Sequence, residues 1–284
     1  MFTEPERGVF NFTPGNLILD IAERNHQYVT CDNLIWVSEV SDWVLNGNWT
    51  AEELTEIMRN HIHTVITHWG DRCRGWEVVN EPLNADGTFS SSVWHDTIGD
   101  EYFYLAFKFA TEAVKKTGKD IKLFFNDYNL ESPSPKVTAA YNLVKELKRR
   151  NLRIDFVGQE SHFIVGETPT LEQQIEAKKG FLELGVEVAV TELDIRFLEA
   201  PYYTAEGQAQ QALDYYNSVA SCVKVGRGCF GITVWDFDDK YSWVPSAFQG
   251  QGGADIFNAT LQRKPAYYAS AEALEGRPCS VCSA

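Results

Sequence analysis

Trp76-Glu77-Val78-Val79-Asn80-Glu81-Pro82 begins as a strand and ends as something else. Trp76, Val78 and Val79 carry strong β character. The run then closes on a carboxamide, a carboxylate and a proline. A carboxylate at the mouth of an apolar strand is costly to bury unless it is paired or used. A second stretch repeats the arrangement. Val188, Ala189 and Val190 form an apolar strand, and Thr191-Glu192-Leu193-Asp194 follows at its end.

Working outward from these two stretches, helical patterns over 14–25, 50–69, 101–116, 134–150, 171–184, 205–224 and 265–274 alternate with strand patterns. The strands are expected over 28–34, 76–79, 121–125, 156–159, 186–190 and 230–234. Thr50 and Glu53 form a capping box at the start of the second helix, and Pro135 occupies the favoured first position of the fourth. Alternation of this kind with short strands is the pattern of a parallel sheet. By itself it leaves a doubly wound sheet and a closed barrel both open.

The polar residues at the strand ends help decide. Asn80 and Glu81 follow one strand; Asn126, Asp127 and Tyr128 follow the next. Glu160 and His162 follow the third, Glu192 and Asp194 the fourth, and Trp235, Asp236 and Asp238 the last. A (β/α)8 barrel gathers the C-terminal ends of its strands around one pocket. No glycine-rich phosphate loop of the doubly wound type is present. Two carboxylates facing one pocket suit glycoside hydrolysis, in which one protonates the leaving oxygen and the other meets the anomeric carbon.

Composition narrows the partners. A net charge of −15 over 284 residues lacks a basic nucleic-acid footprint and would be repelled by an anionic membrane surface. The expected partner is a neutral, β-linked oligo- or polysaccharide. Eight Trp and twelve Tyr fill cores and supply stacking platforms for sugars. The six cysteines show no paired zinc pattern. A disulfide reading implies an oxidising compartment, and three sequons, at Asn11, Asn48 and Asn258, agree with secretion. The chain starts without the pattern of a signal peptide and has no apolar run of transmembrane length. An export signal is therefore expected to lie outside it. His61 and His63 lack the i, i+4 spacing of a shared metal site, so no metal or cofactor is expected; nor is a second subunit.

The stretches WEVVNEP, FFNDYNLE, ESHF, VAVTELD and GITVWDFDDKYSW resemble glycoside hydrolase family 10, the retaining β-1,4-xylanase family, from about Thr3 to Ala273. The resemblance implies a (β/α)8 barrel. It implies Glu81 as acid/base and Glu192 as nucleophile, with Asn80 bonding the sugar 2-hydroxyl. His162 and Asp194 would support the nucleophile; Asn126 and Asp127 support the site from their own strand. Trp36, Trp235 and Trp243 would wall the pocket around the cleaved sugar, with Tyr128 among the sugar-contacting residues. Cys222–Cys229 and Cys31–Cys73 match disulfides of the family; the pairing of Cys279 and Cys282 stays open. The apolar strand behind Glu81 and the charge of Glu192 are expected to raise the pKa of the acid.

The sequence also departs from the family pattern. Asp32 replaces a His that contacts the sugar, Val37 replaces a second His, and Glu160 replaces a Gln near the nucleophile. Donors have become acceptors, which would reward a sugar presenting donors in other positions. The family's opening strand–helix–strand has no counterpart here, so the expectation is one barrel domain over 1–284, N-terminally incomplete and without its first βα unit, with a tail at 276–284. Three functions follow: endo-1,4-β-xylanase, favoured by the motifs; a tomatinase-like glycosidase acting on a plant glycoalkaloid, suggested by the altered residues; and an inactive carbohydrate-binding barrel.

Overall fold

The computed structural model describes residues 3–283. In chain order they form α1 (Thr13–Arg24), β1 (Thr30–Cys31), β2 (Ile35–Trp36), α2 (Asp42–Leu45), α3 (Ala51–Trp69), β3 (Gly75–Asn80), α4 (Val93–Ile98), α5 (Glu101–Thr117), β4 (Lys122–Asp127), α6 (Pro135–Arg149) and β5 (Phe156–Gln159). There follow β6 (His162–Ile164), α7 (Leu171–Glu183), β7 (Glu187–Arg196), α8 (Ala205–Val225), β8 (Cys229–Val234), α9 (Val244–Ala247) and α10 (Pro265–Leu274). The chain divides into two compact units, Met1–Asp127 with Thr138–Val157, and Tyr128–Val137 with Gly158–Ala284.

In the first unit β3 is the central strand, buried at every position. It pairs in parallel with β1 and β2 on one side and β4 on the other. Burial on both faces explains its near-continuous apolar character. The strand expected over 28–34 shortens to β1, and a second short strand that was not expected, β2, follows it; both pair with β3. Cys31 and Cys73 are disulfide-bonded and join the end of β1 to the segment that leads into β3. α3 begins at the capping box, Thr50 accepting from Glu53 N and Glu53 from Thr50 N. It buries Leu54, Ile57, Met58, Ile62, Val65, Ile66 and Trp69, a stripe at helical spacing. His61 lies in the same stripe, where its Nδ1 meets Glu4 Oε2 at 2.9 Å, both side chains buried.

In the second unit β7 is central and pairs in parallel with β6 and β8. Its ten residues run past the expected end of the strand, so Glu192 and Asp194 lie within the ladder rather than beyond it. The reason is on the neighbours: β6 pairs with His162↔Asp194, a strand too short to announce itself by alternation. The chain after α9 then adds an antiparallel contact, Phe197 with Gly252. Phe163, Val190, Leu193, Ile195, Tyr215, Val219, Ala220, Ala266 and Ala273 form the core between β7, α8 and α10. Cys222–Cys229 closes the turn from α8 to β8, and Cys279–Cys282 closes the tail. The tail is also tied to α10, since Ser280 N donates to Glu272 Oε2 at 2.8 Å. Among the described residues no helix is long and apolar enough to cross a membrane.

Candidate active site

The first unit sets three side chains side by side. Register pairs Trp36 with Asn80 across β2 and β3, and Asn80 with Asn126 across β3 and β4. Asn126 Nδ2 donates to Asn80 Oδ1 at 3.4 Å. Glu81, the next residue, leaves the strand with φ 53°. That left-handed conformation is uncommon for a residue with a Cβ and recurs at functional sites. Its backbone N donates to Asn126 O at 2.9 Å, which fixes the turn. Trp36 Nε1 donates to Glu81 Oε2 at 3.0 Å, which aims the carboxylate. Asp127, fully buried, accepts from Leu83 N at 3.1 Å and pins the chain just past Glu81. Asp32 is exposed between β1 and β2, and Val37 is half-buried just after β2.

The second unit holds the other arm. His162 Nε2 lies 3.1 Å from Glu192 Oε2, and its Nδ1 lies 2.9 Å from Asp194 Oδ2. Trp243 Nε1 donates to the same Asp194 oxygen at 2.6 Å, and the Trp243 ring sits 4.9 Å from the imidazole, centroid to centroid. Trp235 approaches the imidazole edge-on at 6.5 Å. Burial opposes charge on His162, but hydrogen bonds to Asp194 and Glu192 outweigh it and push its pKa up to about 9. The ring is therefore an imidazolium at neutral pH, clamped between two carboxylates. Glu160 is buried, its Oε2 3.8 Å from His162 Nε2, and its carbonyl accepts from Glu192 N at 3.0 Å. Tyr128 lies in this unit with the Lys136 ammonium 3.4 Å from its ring centre.

Glu160, His162 and Glu192 present donor atoms within 4.8 Å of one another. Two of the three, His162 and Glu192, form the charge-paired contact described above.

Three supporting residues were given no role in the sequence reading, although Glu131 and Asp236 stood within its motifs. Trp94, on α4, donates from Nε1 to Trp36 O at 3.1 Å and braces the tryptophan that holds Glu81. Glu131, buried, accepts from both Ser161 N (2.8 Å) and Ser161 Oγ (3.0 Å), which holds the left-handed turn between Glu160 and His162. Asp236, itself left-handed at φ 59°, accepts from Trp243 N at 3.0 Å. None belongs to a motif with its own periodicity; a polar residue shortly after a strand was the only available sign.

Comparison with known proteins agrees with this geometry. An endo-1,4-beta-xylanase A of Humicola insolens is 44% identical over 277 residues, covering 98% of this chain and 72% of that protein. An endo-1,4-beta-xylanase D of Talaromyces funiculosus is 43% identical over 266 residues, covering 94% of this chain and 64% of that one. The chain thus spans about two thirds of the length of these curated relatives. Among solved structures, a Penicillium canescens endo-1,4-beta-xylanase superposes with a TM-score of 0.98 at 60% identity, over 99% of this chain and 84% of that one. The sequence model described as Glycosyl hydrolase family 10 matches residues 1–273. Its fold class is α/β, the (β/α)8 barrel, in keeping with the parallel strands and intervening helices of both units. The chain belongs to glycosyl hydrolase family 10.

Proposed function

We propose that this protein is a retaining endo-1,4-β-xylanase, with Glu81 as acid/base and Glu192 as nucleophile. The clamp on Glu192 carries the reading. His162 faces Glu192 with one nitrogen and Asp194 with the other. An imidazolium held in this way aims Glu192, a requirement of nucleophilic attack that sugar binding alone does not have. The family and the names of its relatives support xylan as substrate, and one similar structure, from a Bispora species, holds xylobiose.

In the first step Glu192 attacks the anomeric carbon while Glu81 gives its proton to the departing glycosidic oxygen. In the second, Glu81 takes a proton from water as that water displaces Glu192 from the sugar, and the β configuration is restored. A carboxyl separation of about 5–5.5 Å is what this route demands. Asn80, in register beside Trp36, is proposed to bond the 2-hydroxyl, and Trp235 and Trp243 to wall the sugar. Three disulfides favour an oxidising compartment, and with it secretion. A monomer is proposed as the working unit.

The test is hydrolysis of xylo-oligosaccharides by the purified chain, with the anomeric configuration of the first product followed by NMR. Release of β-xylose termini supports the reading, and Glu192→Ala should abolish turnover. A 2-fluoro-xylobioside should label Glu192; labelling elsewhere moves the nucleophile. Sugar release from tomatine but not from xylan would redirect the substrate, an outcome that Asp32 and Glu160 make worth measuring. Binding without hydrolysis of either would overturn the enzymatic reading.

A further inference from the structure

Beside Asp194 lies a set of ionisable groups that the reaction scheme does not use. Past Asp194 the chain pairs antiparallel with residues 252–254. Phe197 and Gly252 exchange hydrogen bonds of 2.9 and 3.2 Å, and Ile195 N donates to Ala254 O at 3.2 Å. Asp194 and Asp255 each adjoin this contact, and their charges act on one another. Both residues have no exposed surface. The Ser242 hydroxyl is the one hydrogen-bonding group that favours the ionised form of Asp255, and burial and the neighbouring carboxylates outweigh it.

The cations nearby are committed elsewhere. Lys264 Nζ lies 3.2 Å from Asp239 Oδ2 and donates to Gly253 O at 2.7 Å. Asp239 also accepts from Tyr203 Oη at 2.8 Å and from the backbone N of Asp255 at 2.8 Å. His162 is taken by Asp194 and Glu192. The groups acting on Asp255 are therefore Asp194 from β7, Asp236 and Asp239 from the loop after β8, Tyr215 from α8, Tyr203, and Lys264 ahead of α10. A like charge close by raises the pKa of a carboxyl, and a buried carboxylate not held by its own cation is strongly disfavoured.

We propose that Asp255 is a positioning residue of the nucleophile arm, a buried neutral carboxyl that leaves Asp194 to serve His162 alone. This rests on Glu192 being the nucleophile, but the neutrality of Asp255 does not. Burial, then the charges of Asp239 and Asp194, push its pKa up to about 8. Once ionised, Asp255 sets a second negative charge against Asp194 and disturbs the carboxylate that orients His162.

The sign for stability follows from proton binding. The unfolded carboxyl ionises near pH 4, at about 3.9, and the native one near 8. Between these values the native state holds the extra proton, so stability falls as pH rises across that window and levels off above it.

Three measurements on the full chain test the proposal. With 13C-carboxyl-labelled aspartate, NMR should show one Asp that stays protonated to about pH 8 and whose signal is missing in Asp255→Asn. An Asp255 already ionised at neutral pH overturns the proposal. The melting temperature of Asp255→Asn should gain on wild type steadily from about pH 4 to about pH 8, and Asp255→Leu, equally unable to ionise, should show the same widening gap. A gap independent of pH overturns it. Finally, kcat normalised to its acid plateau should hold to higher pH in Asp255→Asn than in wild type. Coincident alkaline limbs would reduce Asp255 to a structural acid and defeat the positioning role. Activity remaining in Glu192→Ala would remove the nucleophile assignment while leaving the carboxyl titration as it is.

Discussion

Glu81 and Glu192 are secured by different physics. Glu81 sits on a strained turn and is aimed by one indole N–H; Glu192 sits inside a strand and is aimed by an imidazolium. Removing the second arrangement should be the more damaging. His162→Ala is expected to lower kcat roughly 10²-fold or more, the scale of losing one positioned donor at a reacting charge. Initial rates on an aryl xylobioside check this. The same residue gives a pH signature. Its native pKa of about 9 lies above the ordinary value of 6.5, so its stabilising effect is complete below pH 6.5 and is lost as pH rises through about 9. Thermal melts should fall more steeply with pH in wild type than in His162→Ala, and above about pH 8, where the Asp255 contribution has levelled off, the loss should persist in wild type alone. Which residues would matter was legible in the sequence, because carboxylates and an imidazole stood after apolar runs. Their partners were not all legible: Trp94 and Glu131 act through a carbonyl and a turn, and no local pattern encodes such contacts.

At the scale of elements, legibility followed the strength of local signals. α3 declared its start through Thr50 and Glu53, and the structure places both reciprocal bonds there, Glu53 N to Thr50 Oγ1 at 3.2 Å and Thr50 N to Glu53 Oε2 at 3.0 Å. Thr50→Ala should therefore cost about 1 kcal/mol, read as a lower urea midpoint with an unchanged slope. β7 was legible only in its apolar first half. Its second half carries Glu192 and Asp194, residues with poor strand propensity, and is held in the ladder by pairing with β6 and β8. β1 was read too long, through Asp32 and Asn33, which leave the ladder, and β2 went unread because two residues are too few to show an alternation. Tertiary pairing decides each of these cases, and pairing is the information that a single stretch of sequence lacks.

For the whole molecule, the net charge of −15 sets how substrates arrive. A neutral xylo-oligosaccharide feels no long-range force, so its kcat/KM should stay constant as salt is raised. A xylan bearing uronic acid branches should gain in kcat/KM over the same range as screening weakens the repulsion. Equal salt responses for the two substrates would show that the field does not reach the site. Stability and activity also meet at one backbone angle. Glu81 holds a left-handed conformation that costs a residue with a side chain about 1–2 kcal/mol and costs glycine far less. Glycine there would forfeit the hydrogen bonds of the carboxylate, the one from Trp36 among them, and the proposed acid with them. The freedom of glycine and a carboxylate cannot both occupy position 81, so the angle is a standing cost of the side chain presented there.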